Sequence, residues 1–580
     1  MPEYDLIIRN GTVVDGTGEP RKIADLGVTN GKIAAIGDLS AKDAGRVIDA
    51  TGLIVAPGFI DLHTHYDAQL FWDPYCTISG WHGVTSVVIG NCGFGFAPCR
   101  VEDRERSMLA MTRNEQIDLE AMRQGMPWDW ETFPEFLDSV ERTPKGVNVL
   151  TFAPLTPIMI WAMGLQAAKS RRPNEEELKK IQGLIHEAMD HGAMGWSVQR
   201  LGENSVQPDY DGTPMVTDIM TDEEGYAFAE VLKERGEGII QLTYAPIGKE
   251  NLADSFMDTR VFEWEEKLAE ISGRPIIHNI IAATAGMPQL HRTPIEWLKS
   301  CQERGLQIYG QGETNRNWQQ FNFTTWNGFD IAPSWKAALM GSPAERLENL
   351  RKPEVREAML AEKPIIDMLG VQGAPLEIYR LTGDGGKAEL SPLIGKTVGE
   401  IAELRGNTPL EAFIDIAAES ELMAEFMSPF VRAPSAEYTA EMIRSGVVMP
   451  GISDGGAHTK YFIGGTYTTD FLSWLVRDQG ALTLEEAHAA LSALPARIAG
   501  FKNRGTLVEG AAADIVVYDL ANLKRTPENE YLTLHDLPGG DWRRVQKSEG
   551  YRYTIVNGEV TFEDGTATGA HSGKLLRHGA

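Results

Sequence analysis

Residues 174–198, NEEELKKIQGLIHEAMDHGAMGWSV, contain a complete helix-to-strand unit. Asn174 with Glu177 three residues on forms a capping box, and Leu178, Ile181, Ile185 and Met189 fall on one helical face. Gly192 stops the helix, and Ala193 to Val198 reads as an apolar strand. The same unit recurs downstream. Thr221 and Glu224 cap a helix that runs to Gly236, ahead of the strand Ile239 to Tyr244. A further helix ends at Gly273 before Pro275 to Ile280, and Thr293 to Gly305 leads into Leu306 to Gly310. Helices and strands alternating in series indicate parallel βα units. Over roughly 400 residues this favours a closed, TIM-like (β/α)8 barrel over an open sheet.

Both ends of the chain differ from this middle. Asn10-Gly11, Asp15-Gly16 and Asn30-Gly31 sit between short apolar runs near the start, and Asn557-Gly558 does so near the end. Such pairs supply the positive φ angles of hairpin turns. We therefore expect a small β-sandwich domain assembled from residues 1–56 and 495–580, with the barrel spanning 57–494. The stretch from about 314 to 444, about 130 residues, is too long for an ordinary connection and is expected to be an insertion before the last barrel strand.

Composition narrows the function. The 580 residues carry 82 acidic and 54 basic side chains, a formal charge of -28. That surface repels polyanions, so nucleic acid and anionic membranes are not expected partners. There is no long uncharged apolar run, and Met1 to Asp5 lacks the basic and apolar regions of a leader. Four cysteines without a CxxC pair do not form a disulfide framework. A cytoplasmic location is expected. The expected partner is a small-molecule substrate, and assembly into a homo-oligomer is left open.

Four motifs carry chemistry. In Pro57-Gly58-Phe59-Ile60-Asp61-Leu62-His63-Thr64-His65 an apolar strand leads into HxH, and alternation sends both imidazoles to one side. Thr85 to Gly93 is a strand ending at Cys92, whose thiolate is a candidate ligand. His278 lies within the strand Ile276 to Ile280. Asp454 follows the apolar run Val447 to Ile452, where a carboxylate can take a proton from bound water and hand it to a leaving amine. Ends of barrel strands are where such residues gather. By the same placement Ser197, Thr243 and Gln311 are candidate substrate contacts.

These residues resemble the amidohydrolase superfamily, and within it the N-acyl-D-amino-acid deacylase (D-aminoacylase) family. The pieces that carry the resemblance are Gly58 to His65, Gly90-Asn91-Cys92-Gly93, Gly192 to Ser197 and Ser453-Asp454-Gly455-Gly456. Pro495-Ala496-Arg497, Arg504-Gly505 and Ala513 to Val516 add to them, so the likeness runs over nearly the whole chain. It implies a (β/α)8 barrel beside a β-sandwich built from both termini. It also implies one or two divalent cations, expected to be Zn2+, on His63, His65, Cys92, His278 and Asp454, with the cysteine between two metal positions. Asp454 is then also the proton shuttle. The implied activity is metal-dependent hydrolysis of an amide C–N bond, with an N-acyl (D-)amino acid or a related amide as substrate.

The chain departs from the family pattern in three places. The fifth strand, Ile239 to Tyr244, has no histidine, and Gln241 or Thr243 is a poor zinc ligand. The lysine expected two positions after the sixth-strand histidine is Ile280. The arginine expected after the eighth-strand aspartate appears as Lys460, a cation without the planar fork. A cyclic amide, lactone or aryl amide is thus the alternative substrate. A barrel without catalysis, serving binding or assembly, is the alternative from another class.

Overall fold

The computed structural model describes residues 2–203, 205, 207–244, 259–325, 327–363, 375–430 and 434–578. The central strands are β1 (Phe59–Asp61), β2 (Val84–Ile89), β3 (Asn148–Thr151), β4 (Gly195–Arg200), β5 (Ile239–Tyr244), β6 (Ile276–Ala282), β7 (Ile308–Glu313) and β8 (Val448–Gly451). β1, β2 and β3 pair in parallel. After Phe152 the chain of β3 continues as Ala153–Pro154, which pairs with β4, and the parallel order then runs β4, β5, β6, β7, β8. A parallel bridge between Thr64 and Gly455 joins the segments that follow β1 and β8.

The helices lie where periodicity and capping put them. α1 (Glu175–Asp190) starts with the full Asn174/Glu177 capping box and α2 (Asp222–Arg235) with that of Thr221/Glu224. Gly236 closes α2 in the left-handed conformation at φ 65, which glycine adopts at no steric cost. α3 (Thr259–Ser272) precedes β6 and α4 (Gln289–Glu303) precedes β7. α4 begins four residues before Thr293, because Pro294 sits inside it rather than breaking it. Ile60, Val88, Leu150, Ile239, Ile277 and Met449 form one cluster on one side of the strands. Their alternates, such as Val87, Ile240, Leu242 and Ile276, join a larger core that includes the helices. This alternation fixes which side chains of each strand face the inner cluster.

Both chain ends meet in a nine-stranded sheet. Ile54–Pro57 pairs in parallel with Tyr4–Val13 and antiparallel with Ile515–Tyr518, so the link into β1 is stitched to the C-terminal strands. Between β7 and β8, Trp318–Phe321, Arg380–Gly383 and Glu425–Phe430 make a separate three-stranded sheet. This segment has its own core of Phe321, Phe329, Trp335, Tyr379, Phe413 and Phe426. The expected insertion also includes 364–374 and 431–433, which lie outside the described residues. Among the described residues no helix is long and apolar enough to cross a membrane.

Candidate metal centre

β1 ends at Asp61, so the two imidazoles project from the segment just beyond the strand. That segment is clamped from both sides. Thr64 donates its N–H and its hydroxyl to the carbonyl of Val88, at 3.2 and 2.6 Å. His65 N–H donates to Gly455 O at 2.7 Å, and Ser453 Oγ donates to His63 O at 2.9 Å. Hydrogen bonds from neighbours on both sides fix the backbone that carries the rings. Their centroids stand 5.4 Å apart at 73°.

Cys92 and Asp454 reach the same point from left-handed backbone. Cys92 has φ 57 between Gly90 and Gly93, which are also positive, and Asp454 has φ 45. Non-glycine residues rarely occupy this region, and they cluster at sites where the surrounding structure over-determines them. Asp67 holds the cysteine loop by accepting from Gly90 N–H at 2.9 Å.

The donor atoms converge. Asp454 Oδ1 is 3.2 Å from His63 Nε2 and 3.8 Å from His65 Nε2. Cys92 Sγ is 3.4 Å from His63 Nε2 and 3.9 Å from His65 Nε2. Bonds of about 2.0–2.3 Å in a tetrahedral site put its ligands about 3.3–3.8 Å apart. The two imidazoles and the thiol, whose donor atoms all lie within 4.8 Å of one another, form a group that could hold one divalent cation, with zinc matching the nitrogen and sulfur donors; Asp454 meets both imidazoles but falls outside this group. Electrostatics agree. Burial pushes the Cys92 thiol up, but the neighbouring His63 and His65 rings outweigh it and bring the thiol down to about 7. Burial likewise works to raise Asp454, and the hydrogen bond and charge of His63 hold it far below the carboxylate range. Burial lowers His65, whereas the Glu115 charge and Cys92 raise it to about 9. The anionic ligands are thus formed near neutral pH, and a cation entering would displace protons from the imidazoles.

Not every expected residue is here. His278 faces away: Ile277 lies in the inner cluster, so alternation turns His278 towards the helices. There its Nδ1 is 2.8 Å from Oε1 of Glu265 on α3, and its ring lies 5.5 Å from that of Trp297 on α4. Asn279 faces inward instead, with Nδ2 2.8 Å from His63 Nδ1. Gln311 lies beside the same ring, its Oε1 3.2 Å from Nδ1. Thr243 Oγ1 is 3.3 Å from Cys92 Sγ. Ser197 is fully buried and serves the cysteine loop: its Oγ accepts from Gly93 N–H at 3.0 Å and donates to Gly90 O. Lys460 is held by Asp541 and lies 3.8 Å from Asp118, so its charge is already compensated. Two carboxylates neutralise the cation that the sequence offers for an anionic substrate.

Two further residues adjoin the cluster. Glu115, buried at 1% exposure, has Oε2 3.8 Å from His65 Nε2 and 3.2 Å from His458 Nε2. His458 also donates its backbone N–H to Glu115 O at 2.6 Å. His458 follows Ser453-Asp454-Gly455-Gly456-Ala457 closely enough for the motif to have been read through to it. Glu115 lies within the polar stretch Thr112 to Gln116, with no local pattern that marks it.

The amidohydrolase family model matches residues 46–229 and 376–562. The D-aminoacylase of Alcaligenes xylosoxydans xylosoxydans is 27% identical over 583 residues, covering 99% of this chain and 97% of its own. The crystal structure of a D-aminoacylase superposes with a TM-score of 0.65 at 22% identity, over 99% of this chain and 100% of the other. The N-acyl-D-glutamate deacylase of Bordetella bronchiseptica, solved with zinc and a phosphonate mimic of the tetrahedral intermediate, gives a TM-score of 0.63 at 23% identity, over 99% of each chain. With well over half of its residues matched by the family model, the chain belongs to the amidohydrolase family.

Proposed function

We propose that the protein is a hydrolase of a non-peptide amide bond, most simply that of an N-acyl D-amino acid, with His63, His65, Cys92 and Asp454 holding a divalent cation. The observation that carries this reading is the approach of the His63, His65 and Cys92 donor atoms to within 4.8 Å of one another, with Asp454 Oδ1 3.2 and 3.8 Å from the two imidazoles. A zinc ion bound there supplies Lewis acidity and brings the pKa of water from about 15.7 towards about 7. Asp454 turns Oδ1 towards the imidazoles, which leaves Oδ2 to accept the water proton and return it to the departing nitrogen. Asn279 and Gln311 both reach His63 Nδ1, at 2.8 and 3.2 Å, and keep Nε2 aimed at the centre. Thr243 lines the site beside the thiol.

The scaffold we infer is a closed (β/α)8 barrel over 57–494, supported by the continuation of β3 into Ala153–Pro154 and by the Thr64–Gly455 bridge. Residues 1–56 and 495–580 form the accompanying β domain, and 314–444 the insertion. Four buried, unpaired cysteines suit a reducing compartment such as the cytoplasm. The test is metal analysis of the purified protein together with an assay panel of N-acyl D-amino acids, their L-isomers and neutral amides. Turnover of N-acyl D-amino acids that tracks bound metal supports the reading, and a metal-free protein inert after metal addition sinks it. The compensated Lys460 and the apolar Ile280 favour a second outcome, in which neutral or cyclic amides are turned over faster.

A further inference from the structure

Gln241 stands on β5, the strand that lacks the histidine of the family pattern, and it is fully buried. Its register opposite Ser197 of β4 and Ile277 of β6 turns it towards the inner side, next to the cysteine loop. Oε1 accepts the backbone N–H of Cys92 at 2.7 Å. That contact fixes the amide's orientation, because an N–H meeting the NH2 end would leave two donors face to face. Nε2 therefore points to Thr243 and donates to Oγ1 at 3.1 Å. The Thr243 oxygen thus receives a hydrogen bond, and its own hydrogen is available to Cys92 Sγ at 3.3 Å.

We propose that Gln241 is a positioning residue for the metal centre, its amide fixing the left-handed backbone of Cys92 and, through Thr243, directing a hydroxyl hydrogen at the thiolate. Cys92 holds φ 57, and its buried N–H needs an acceptor to stay there. Ser197 holds the flanking Gly90 and Gly93 from β4, so Gln241 completes the support of the loop from β5. A hydrogen bond to a metal-bound thiolate also shifts charge off the sulfur, which tunes the bond to the cation. This inference rests on the reading of Cys92 as a ligand.

The test uses the full chain loaded with zinc and, in parallel, with cobalt(II). Zinc affinity is read by chelator competition and the sulfur bond by the thiolate-to-cobalt charge-transfer band. We expect Gln241→Met, near-isosteric but without the amide, to lose about 10–100-fold in zinc affinity and to show a weakened, shifted band. Thr243→Val should shift the band in the same direction with a smaller affinity loss. The double variant should lose less affinity than the two single losses combined, because part of the Gln241 effect runs through Thr243. Wild-type affinity and an unshifted band in folded Gln241→Met overturn the proposal. Should that variant fail to fold, an unshifted band in Thr243→Val does the same. If the wild-type cobalt protein has no charge-transfer band at all, Cys92 is not a ligand and the underlying reading fails with it. A normal wild-type band that no variant changes removes only the role of Gln241.

Discussion

Oδ1 of Asp454 stands 3.2 Å from Nε2 of His63, joining the segment after the last central strand to the segment after the first. The charge of His63 keeps Asp454 ionised against the burial that would raise it. A group so held can accept a proton only when the reaction delivers one. Asp454→Asn keeps the shape and removes that capacity. We expect kcat to fall by about 10²–10⁴-fold, the usual worth of a general acid–base. The thermal unfolding midpoint should stay close to wild type. Steady-state kinetics beside a thermal melt checks both, and a near-normal kcat would remove the aspartate from the chemistry.

Metal removal is the second test. Because donors must shed protons to bind a cation, chelation should be easier at lower pH and should abolish turnover, with a single equivalent of zinc restoring it. In His63→Ala one of four donors is gone. Its zinc affinity should drop by more than the about 10–100-fold that loss of an outer-sphere partner costs. Elemental analysis after dialysis against chelator reads this directly. Full metal retention in the folded variant would place the cation elsewhere.

His278 offers a contrast. Its Nδ1 contacts Glu265, a carboxylate of 0% exposure whose other oxygen has no hydrogen-bond partner among the described residues. Replacing the imidazole by Leu leaves that carboxylate buried without its donor, which costs about 1–3 kcal/mol or more. We therefore expect His278→Leu to melt several degrees lower while retaining its metal. Loss of metal with an unchanged melt would restore His278 to the ligand set.

The same residue shows where sequence reasoning stops. Capping boxes and glycine stops are local, so α1, α2 and their following strands were legible at Asn174/Glu177, Thr221/Glu224 and Gly236. The pairing of His63 with His65 was legible too, since two residues fix it. Whether His278 faced in or out depended on strand parity, and the isoleucines flanking the His278-Asn279 pair gave no alternation to read; only the packing of Ile277 into the inner cluster decides it. Lys460 was legible as a cation, but its pairing with Asp541 and Asp118 joins segments distant in sequence. Glu115 has the same difficulty. Its partners are His65 and His458, and nothing adjacent to it announces them.

The last prediction concerns acid stability. His82 is fully buried, with Nε2 3.0 Å from Gln546 O and Nδ1 2.6 Å from Thr469 Oγ1. The carbonyl can only accept, so Nε2 carries the hydrogen and Nδ1 accepts from the threonine hydroxyl; the ring is neutral in this arrangement. Burial is the main reason its pKa falls to about 4, against about 6.5 in an unfolded chain. The sign follows directly. Between these values the unfolded chain binds a proton that the native protein refuses, so stability falls as pH drops through about 6.5 and levels off below about 4. The full effect is on the order of 3 kcal/mol. His488, lowered to about 3 by burial, acts in the same direction. His82→Gln retains a donor for the Gln546 carbonyl but cannot titrate. Its unfolding free energy, measured by urea titration from about pH 7.5 to about pH 4, should decline less steeply than that of the wild type. Parallel declines for the two proteins would show that this imidazole does not set the acid limit.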